Sequence, residues 1–485
     1  MNGTPQLSDR RRLAILAICC MSLLIVAMDN TIVNVALPSI RRELHAPLSG
    51  LQWTVDAYVL VIASLLLLSG STADRLGRRR TFQVGLVLFV AGSLACSLAP
   101  SLDWLIAARA VQGIGGSMLN PVAMSIITNV FTDPRERARA IGAWGAVVGI
   151  SLALGPIVGG ALTQSVGWRS IFWINVPIGL AAVALTALFV PESRAARARR
   201  IDPLGQVLVI VTLASLTYAI IQGPQAGWAS AQTIGLFATS ALALLALIVY
   251  EPRRRDPLIE LRFFRSAPFS GATVIAISAF AAFSGFLFVN TLYLQDARGY
   301  SALDAGLCTL PMAIAALLIS PLSGRAVGGR GPRLPLLLAG VCMLASALVL
   351  TTLTTSTPLA LLLCVYAVFG IGFGAVNPPI TYAAVSGMPN SQAGVAAGVA
   401  STSRQIGQAL GVAITGSILG AAVGGELSGR HLASASHPAW WLIAGWGACV
   451  LALGVAATSR WARRTAKRCN ERLQEDPAAP QPVPA

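Results

Sequence analysis

Charge is scarce in this sequence. Only 11% of its 485 residues are Asp, Glu, Lys or Arg, against 55% apolar, where a soluble domain carries about 25% charged residues. A soluble fold this poor in charge could not cover its own surface, so a cytoplasmic enzyme is excluded and a polytopic membrane protein remains. Acids are scarcer still, 19 against 35 basic residues, and there are three histidines. The excess of +16 does not indicate a nucleic-acid partner, because the arginines fall in short clusters between long apolar runs, where they set topology. None of the eight cysteines belongs to a C-x-x-C pair or neighbours a histidine, so neither a zinc site nor a disulfide framework is indicated. The phosphate-binding pattern G-x-x-x-x-G-K-S/T is absent, and with it the usual means of using ATP.

What the chain does have is long apolar runs. A spanning helix needs about 20 mostly apolar residues, and fourteen such segments are predicted. The first, over 13–37, follows Arg10, Arg11 and Arg12 and resembles a signal peptide at its start, but it runs too long and lacks a small-residue cleavage site. An even number of spans puts both termini on one side. With that side cytoplasmic, 28 basic residues lie inside and 5 outside, and Arg109 and Arg404 lie within spans, as the positive-inside rule requires. Trp53, Trp104, Trp168, Trp228, Trp440 and Trp441 fall at the outer ends, where headgroup-facing rings are expected.

The chain also repeats. Gly113–Pro121 reads GIGGSMLNP and Gly370–Pro378 reads GIGFGAVNP, 257 residues apart. The loop from Gly70 (GSTADRLGRRR) has a degenerate counterpart from Gly324 (GRAVGGRGPR). The expected fold is all-α: a six-helix bundle over 13–190, two inserted helices within 204–250, and a second six-helix bundle over 268–459. Residues 1–12, the loops 191–203 and 251–267, and a basic, disordered tail over 460–485 are assigned to the cytoplasm. Paired helix bundles flanking a midplane site are characteristic of secondary transporters.

Ionisable groups within spans are candidates for function. No Glu lies in one. Asp29 lies in the first span with Asn30 and Asn34 one turn apart. It is the leading proton carrier, because burial disfavours its charged form and a nearby cation favours it. The structural alternative is an Asp held by Asn30 or Asn34 for helix packing alone. Asp56, near the outer end of the second span, is expected to reach water. Arg109 stays charged, and Tyr366 occupies its repeat position, so the fold alone does not require the charge. In the fifth span Gly155, Pro156, Gly159 and Gly160 permit close packing and weaken the helix; the thirteenth span lacks the Gly-Pro.

Five motifs in order resemble one family. Gly70, Ala73, Asp74, Arg75, Gly77, Arg78 and Arg79 are similar to the first signature of the major facilitator superfamily, with Thr72 at its usual Leu position. Leu105, Arg109, Gln112, Gly113 and Gly115 resemble its span-four signature. Gly155-Pro156 with Gly159-Gly160 resembles the antiporter signature, with Ser151 where Gly is usual. Asp29-Asn30-Thr31 through Asn34 to Pro38 resembles the span-one motif of the fourteen-span drug:proton antiporters, as do Trp168-Arg169, Phe172 and Ile174 to Pro177. The resemblance implies a bacterial cytoplasmic-membrane exporter, monomeric, without a cofactor, whose partners are protons, an amphipathic small molecule and the lipid bilayer. It implies that Asp29 and Arg109 handle the proton, that the Asp74–Arg78 loop latches the cytoplasmic side, and that the fifth helix biases the cycle toward export. The tenth span has no acid at Leu307, Cys308, Thr309 or Pro311, where members that bind divalent cationic drugs tend to carry a carboxylate, which implies weak export of dicationic drugs. A dedicated exporter of one metabolite or self-made antibiotic is the alternative, with an uptake symporter further off.

Overall fold

A computed structural model describes residues 8–195, 201–254, 256–389, 392–423 and 429–474. Among the described residues there are eighteen α-helices, two short 3₁₀ turns and one π turn, and fourteen helical segments are long and apolar enough to cross a membrane, the number expected from hydropathy. Arg197, Arg199, Arg200 and Arg255, counted above as inward-facing, lie outside the described residues.

The chain forms two compact units. The first holds Met1–Ala46, Trp53–Ile201 and Ser301–Leu307. Its helices are α1 (Asp9–Leu44), most of α2 (Leu48–Leu76), α3 (Arg78–Ser97), α4 (Leu102–Val130), α5 (Pro134–Ser165), α6 (Ser170–Trp173) and α7 (Asn175–Phe189). Caps fix several ends. The Ser8, Ser101 and Asp133 side chains accept from the first-turn amides of α1, α4 and α5, satisfying donors that a helix leaves unpaired. The sixth span divides into α6 and α7, which follow one another across Ile174.

The second unit holds Pro47–Gln52, Asp202–Tyr300 and Cys308–Ala485. It contains the inserted pair α8 (Pro203–Ala226) and α9 (Ala231–Tyr250), then α10 (Ala267–Leu292). After α11 (Ala302–Cys308), whose residues up to Leu307 belong to the first unit, come α12 (Leu310–Arg330), α13 (Arg333–Leu350), α14 (Leu359–Val385), α15 (Ala393–Val423), α16 (Gly429–Ala435), α17 (His437–Ala456) and α18 (Arg460–Gln474). Packing repeats with the sequence. In the first unit α1 packs on α5 and α7, and α3 on α4 and α7; in the second α10 packs on α15 and α17, and α13 on α14 and α17. The repeated glycines explain the match. A Cβ on Gly113 would stand 2.8 Å from the Tyr58 carbonyl and one on Gly115 2.8 Å from the Phe89 Cα, while at the repeat positions Gly370 and Gly372 meet Met312 and Met343 at 2.7 Å. Small residues at these points let helix backbones approach closely.

Two expectations need correction. The tail is not disordered from Arg460: Arg460–Gln474 is helical, because Ala462, Ala466, Cys469 and Leu473 recur on one face and are buried. Residues 475–485 lie outside the described residues. Nor do all the predicted interfacial tryptophans face outward. Trp104, Trp228 and Trp441 are exposed, but Trp168 and Trp440 are buried, their indole nitrogens donating to Glu43 (2.7 Å) and Ser436 (3.2 Å).

Candidate functional site

A buried polar cluster lies at the centre of the first unit, among helices that are otherwise apolar. Asp29 from α1, Arg109 and Gln112 from α4, Ser93 from α3 and Asn175 from α7 are all excluded from solvent. Four helices therefore converge on one carboxylate. Their approach depends on Gly92: a Cβ there would stand 2.6 Å from the backbone nitrogen of Gln112, so only glycine lets α3 come close enough to bring Ser93 to Gln112.

Both oxygens of Asp29 are engaged. Oδ2 accepts from Nη1 of Arg109 in an ion pair. Oδ1 accepts from Nε2 of Gln112 at 2.9 Å and Nδ2 of Asn175 at 3.2 Å. The same two amides also donate to Ser93 Oγ, at 2.8 and 3.0 Å, and Gln112 Oε1 accepts from Arg109 Nη1 at 2.7 Å. Arg109 has neutral partners as well. Its Nε donates to the Thr54 carbonyl at 3.0 Å, and its guanidinium lies 4.2 Å from the Tyr58 ring centroid and 5.7 Å from that of Phe172. A carboxylate and a guanidinium this far from water persist only when paired and fully hydrogen-bonded. With the Asp29 charge neutralised, Arg109 would still have a carbonyl, an amide oxygen and two aromatic faces, the last attractive through cation–π contact.

The structure thus brings Asp29 and Arg109 together and leaves Asn30 and Asn34 apart from them. Asn34 donates to the Asn30 carbonyl at 3.0 Å, and neither side-chain oxygen accepts from a described residue. Holding by Asn30 or Asn34 is therefore not what orients Asp29. Gln112 and Asn175 do that, and together with Ser93 they are the residues that charge-based reasoning misses. The available signal was spacing: Gln112 stands three residues after Arg109, on the same face of α4. Asp56 also departs from expectation. It is buried, with neither oxygen accepting a hydrogen bond from a described residue, because α2 begins at Leu48 and Asp56 lies two turns inside it.

The loop between α2 and α3 is held locally. Arg78 donates to Asp74 Oδ1 through Nη2 at 3.0 Å and Nε at 3.3 Å. Gly77 has φ +119°, a conformation that favours glycine, and the Glu192 carboxylate lies against it. Glu192 accepts from the Arg79 amide at 3.1 Å, and the 193–195 strip bonds back to Arg78 and Asp74. Arg75 is exposed, and Gly70 faces open space. In α5, a Cβ on Gly155 would collide with Thr31 and one on Gly159 would stand 2.6 Å from Ile32, so these glycines seat α5 against α1 just beyond Asp29. Gly160 faces Leu303 at 2.7 Å, within the same unit. Pro156 lies inside α5 without ending it. Ser151 donates to Val147 and faces the Leu24 carbonyl of α1.

At the repeat position of Arg109, Tyr366 donates its hydroxyl to Asn290, and both are buried. Phe286 stands edge-on to Tyr366 at 5.2 Å and stacks on Phe369 at 4.6 Å. Arg404 is half-buried, donating to Thr381 at 2.5 Å with its guanidinium 6.0 Å from the Phe280 ring.

Comparison with known proteins agrees in one direction. The sequence pattern of the Major Facilitator Superfamily matches residues 19–412. The multidrug resistance protein Stp of Mycobacterium tuberculosis is 39% identical over 396 residues, covering 82% of this chain and 74% of Stp. The methylenomycin A resistance protein of Streptomyces coelicolor is 38% identical over 381 residues, 78% of this chain and 79% of that one. Among solved structures, a bacterial homologue of the human lysosomal transporter Spinster superposes with a TM-score of 0.66 at 18% identity, covering 94% and 98% of the two chains.

Proposed function

The chain belongs to the major facilitator superfamily, and we propose that it exports amphipathic drugs or antibiotics from the bacterial cytoplasm in exchange for protons. It is a multi-pass inner-membrane transporter, not an enzyme. The resistance-protein relatives support the substrate class, and the 28-to-5 bias of basic residues supports a cytoplasmic location for both termini.

The observation that carries the coupling is the buried Asp29–Arg109 pair. A proton arriving on Asp29 cancels the negative charge, and Arg109 falls back on Thr54, Gln112 and the Tyr58 ring. The hydrogen bonds tying α1 to α4 and α7 are then rearranged, and this two-state element is what alternating access needs. One proton crossing about 150 mV releases roughly 3.5 kcal/mol, enough for a drug gradient of a few hundredfold at about 1.4 kcal/mol per decade. No cofactor enters this scheme, and a monomer suffices for it. The Asp74–Arg78 loop serves as the cytoplasmic latch, and the Gly155-Pro156-Gly159-Gly160 segment of α5 sets the bias toward export.

A second reading, a dedicated exporter of one antibiotic, draws support from the single compound named for the methylenomycin A relative. Expression in a pump-deficient host against a broad compound panel separates the two. Protection against several chemotypes, lost in Asp29→Asn, is expected; protection against one chemotype would favour the dedicated exporter. In liposomes, export should require an imposed proton gradient, and export driven by sodium alone would refute proton coupling.

A further inference from the structure

A second concavity, distinct from the transport cluster, lies where α10 begins and α17 ends. The 3₁₀ turn Leu261–Arg265 runs into α10, and α18 begins four residues after α17 stops at Ala456. Between turn and helix is a cavity of about 210 Å³, lined chiefly by Arg262, Arg265, Thr465, Arg468, Cys469 and Arg472. Four guanidinium groups thus share one small space. Arg262 is held by Glu260, through Nε at 2.8 Å and Nη2 at 2.9 Å. Arg265, Arg468 and Arg472 make no ion pair with a described carboxylate, so the cavity has a surplus of positive charge.

The cavity is built rather than incidental. Thr465 Oγ1 accepts from the Ala267 amide at 3.0 Å, tying α18 to the first turn of α10. Cys469 Sγ donates to the Arg262 carbonyl at 3.5 Å, and Ala466 packs on Gly387. Burial raises the Cys469 thiol pKa, with the nearby guanidiniums of Arg265, Arg262 and Arg472 opposing it. The outer face of α18 carries Arg463, Arg464 and Lys467 with an exposed Trp461, the composition of a helix lying in the membrane interface. Both walls adjoin the ends of spanning helices, where the headgroup layer is expected. At about 210 Å³ the space is below the 300–1,000 Å³ of sites for drug-sized ligands.

We propose that this pocket binds the phosphate of an anionic phospholipid of the adjoining leaflet, with Arg265, Arg468 and Arg472 as its ligands and Arg262, fixed by Glu260, as the rigid wall. Guanidinium forks suit phosphate oxygens, and basic pockets beside spanning helices select anionic headgroups. The inference needs only that the chain is membrane-embedded and is independent of what it transports.

The test is a titration of the purified full-length protein in detergent with phosphatidylglycerol and with phosphatidylcholine, read by native mass spectrometry. One tight phosphatidylglycerol adduct is expected, weakened on the order of a hundredfold in the combined variant Arg265→Gln, Arg468→Gln, Arg472→Gln, at about fivefold per arginine. The charge-matched variant Arg463→Gln, Arg464→Gln, Lys467→Gln should stay within about threefold of wild type. Arg468→Gln alone should lose about fivefold and serves if the triple variant does not purify. Equal affinity in the pocket variants and wild type, or an equal loss in the charge-matched control, would overturn the site. Displacement of the adduct by an equimolar amount of inorganic phosphate would assign a soluble anion and overturn the lipid.

Discussion

The two repeats share a packing scheme and differ in what they bury at one equivalent point. In the first, Arg109 meets Asp29 within a network of Gln112, Asn175 and Ser93; in the second, Tyr366 meets Asn290 amid stacked phenylalanines. The glycines at 113 and 115 and at 370 and 372 serve both halves alike. A fold that closes equally well around a neutral pair does not need the ion pair for stability, since buried ion pairs seldom stabilise more than a well-packed apolar substitute. The charge in the first half is therefore proposed to carry function, and the neutral Tyr366–Asn290 pair in the second shows what the same position looks like without it.

Removing one partner of the charged pair is the strongest way to break this contrast. Arg109→Ala should leave Asp29 buried and uncompensated, at a cost of about 3–5 kcal/mol, read as a sharply lower thermal unfolding midpoint and abolished export. Asp29→Asn should spare folding better, because Asn can still accept from Gln112 or Asn175, yet abolish proton-driven export. In the packing scheme the halves should respond alike: Gly115→Val and Gly372→Val both force a side chain into a neighbouring helix and should each cost a few kcal/mol. A loss confined to one half would show that the glycines are not equivalent.

Much of this was legible beforehand. Long apolar runs give the span count with little ambiguity, and a charge inside one is rare enough to single out Asp29 and Arg109. Gln112 and Asn175 were visible only as members of motifs, without a role, and Ser93 not at all, because neutral polar residues in apolar helices more often bond their own backbone, as Thr31 and Ser151 do. Burial of Asp56 was missed for a different reason: it depends on where α2 begins, and helix boundaries are the least certain part of a sequence reading. The helical tail was missed because its overall charge hid a four-residue apolar stripe.

Smaller effects sharpen the contrast further. Tyr366→Phe removes one buried hydrogen bond, costs about 1 kcal/mol, and should leave proton-driven export within about twofold of wild type; loss as complete as in Asp29→Asn would place coupling in both halves.

The central claim is that Asp29 holds the exchanged proton. Its most direct test is the proton release measured with a pH indicator when a transported drug is added to weakly buffered, detergent-purified protein. Wild type should release protons in proportion to drug bound, and Asp29→Asn should bind drug without releasing them. Undiminished release from Asp29→Asn would contradict the account.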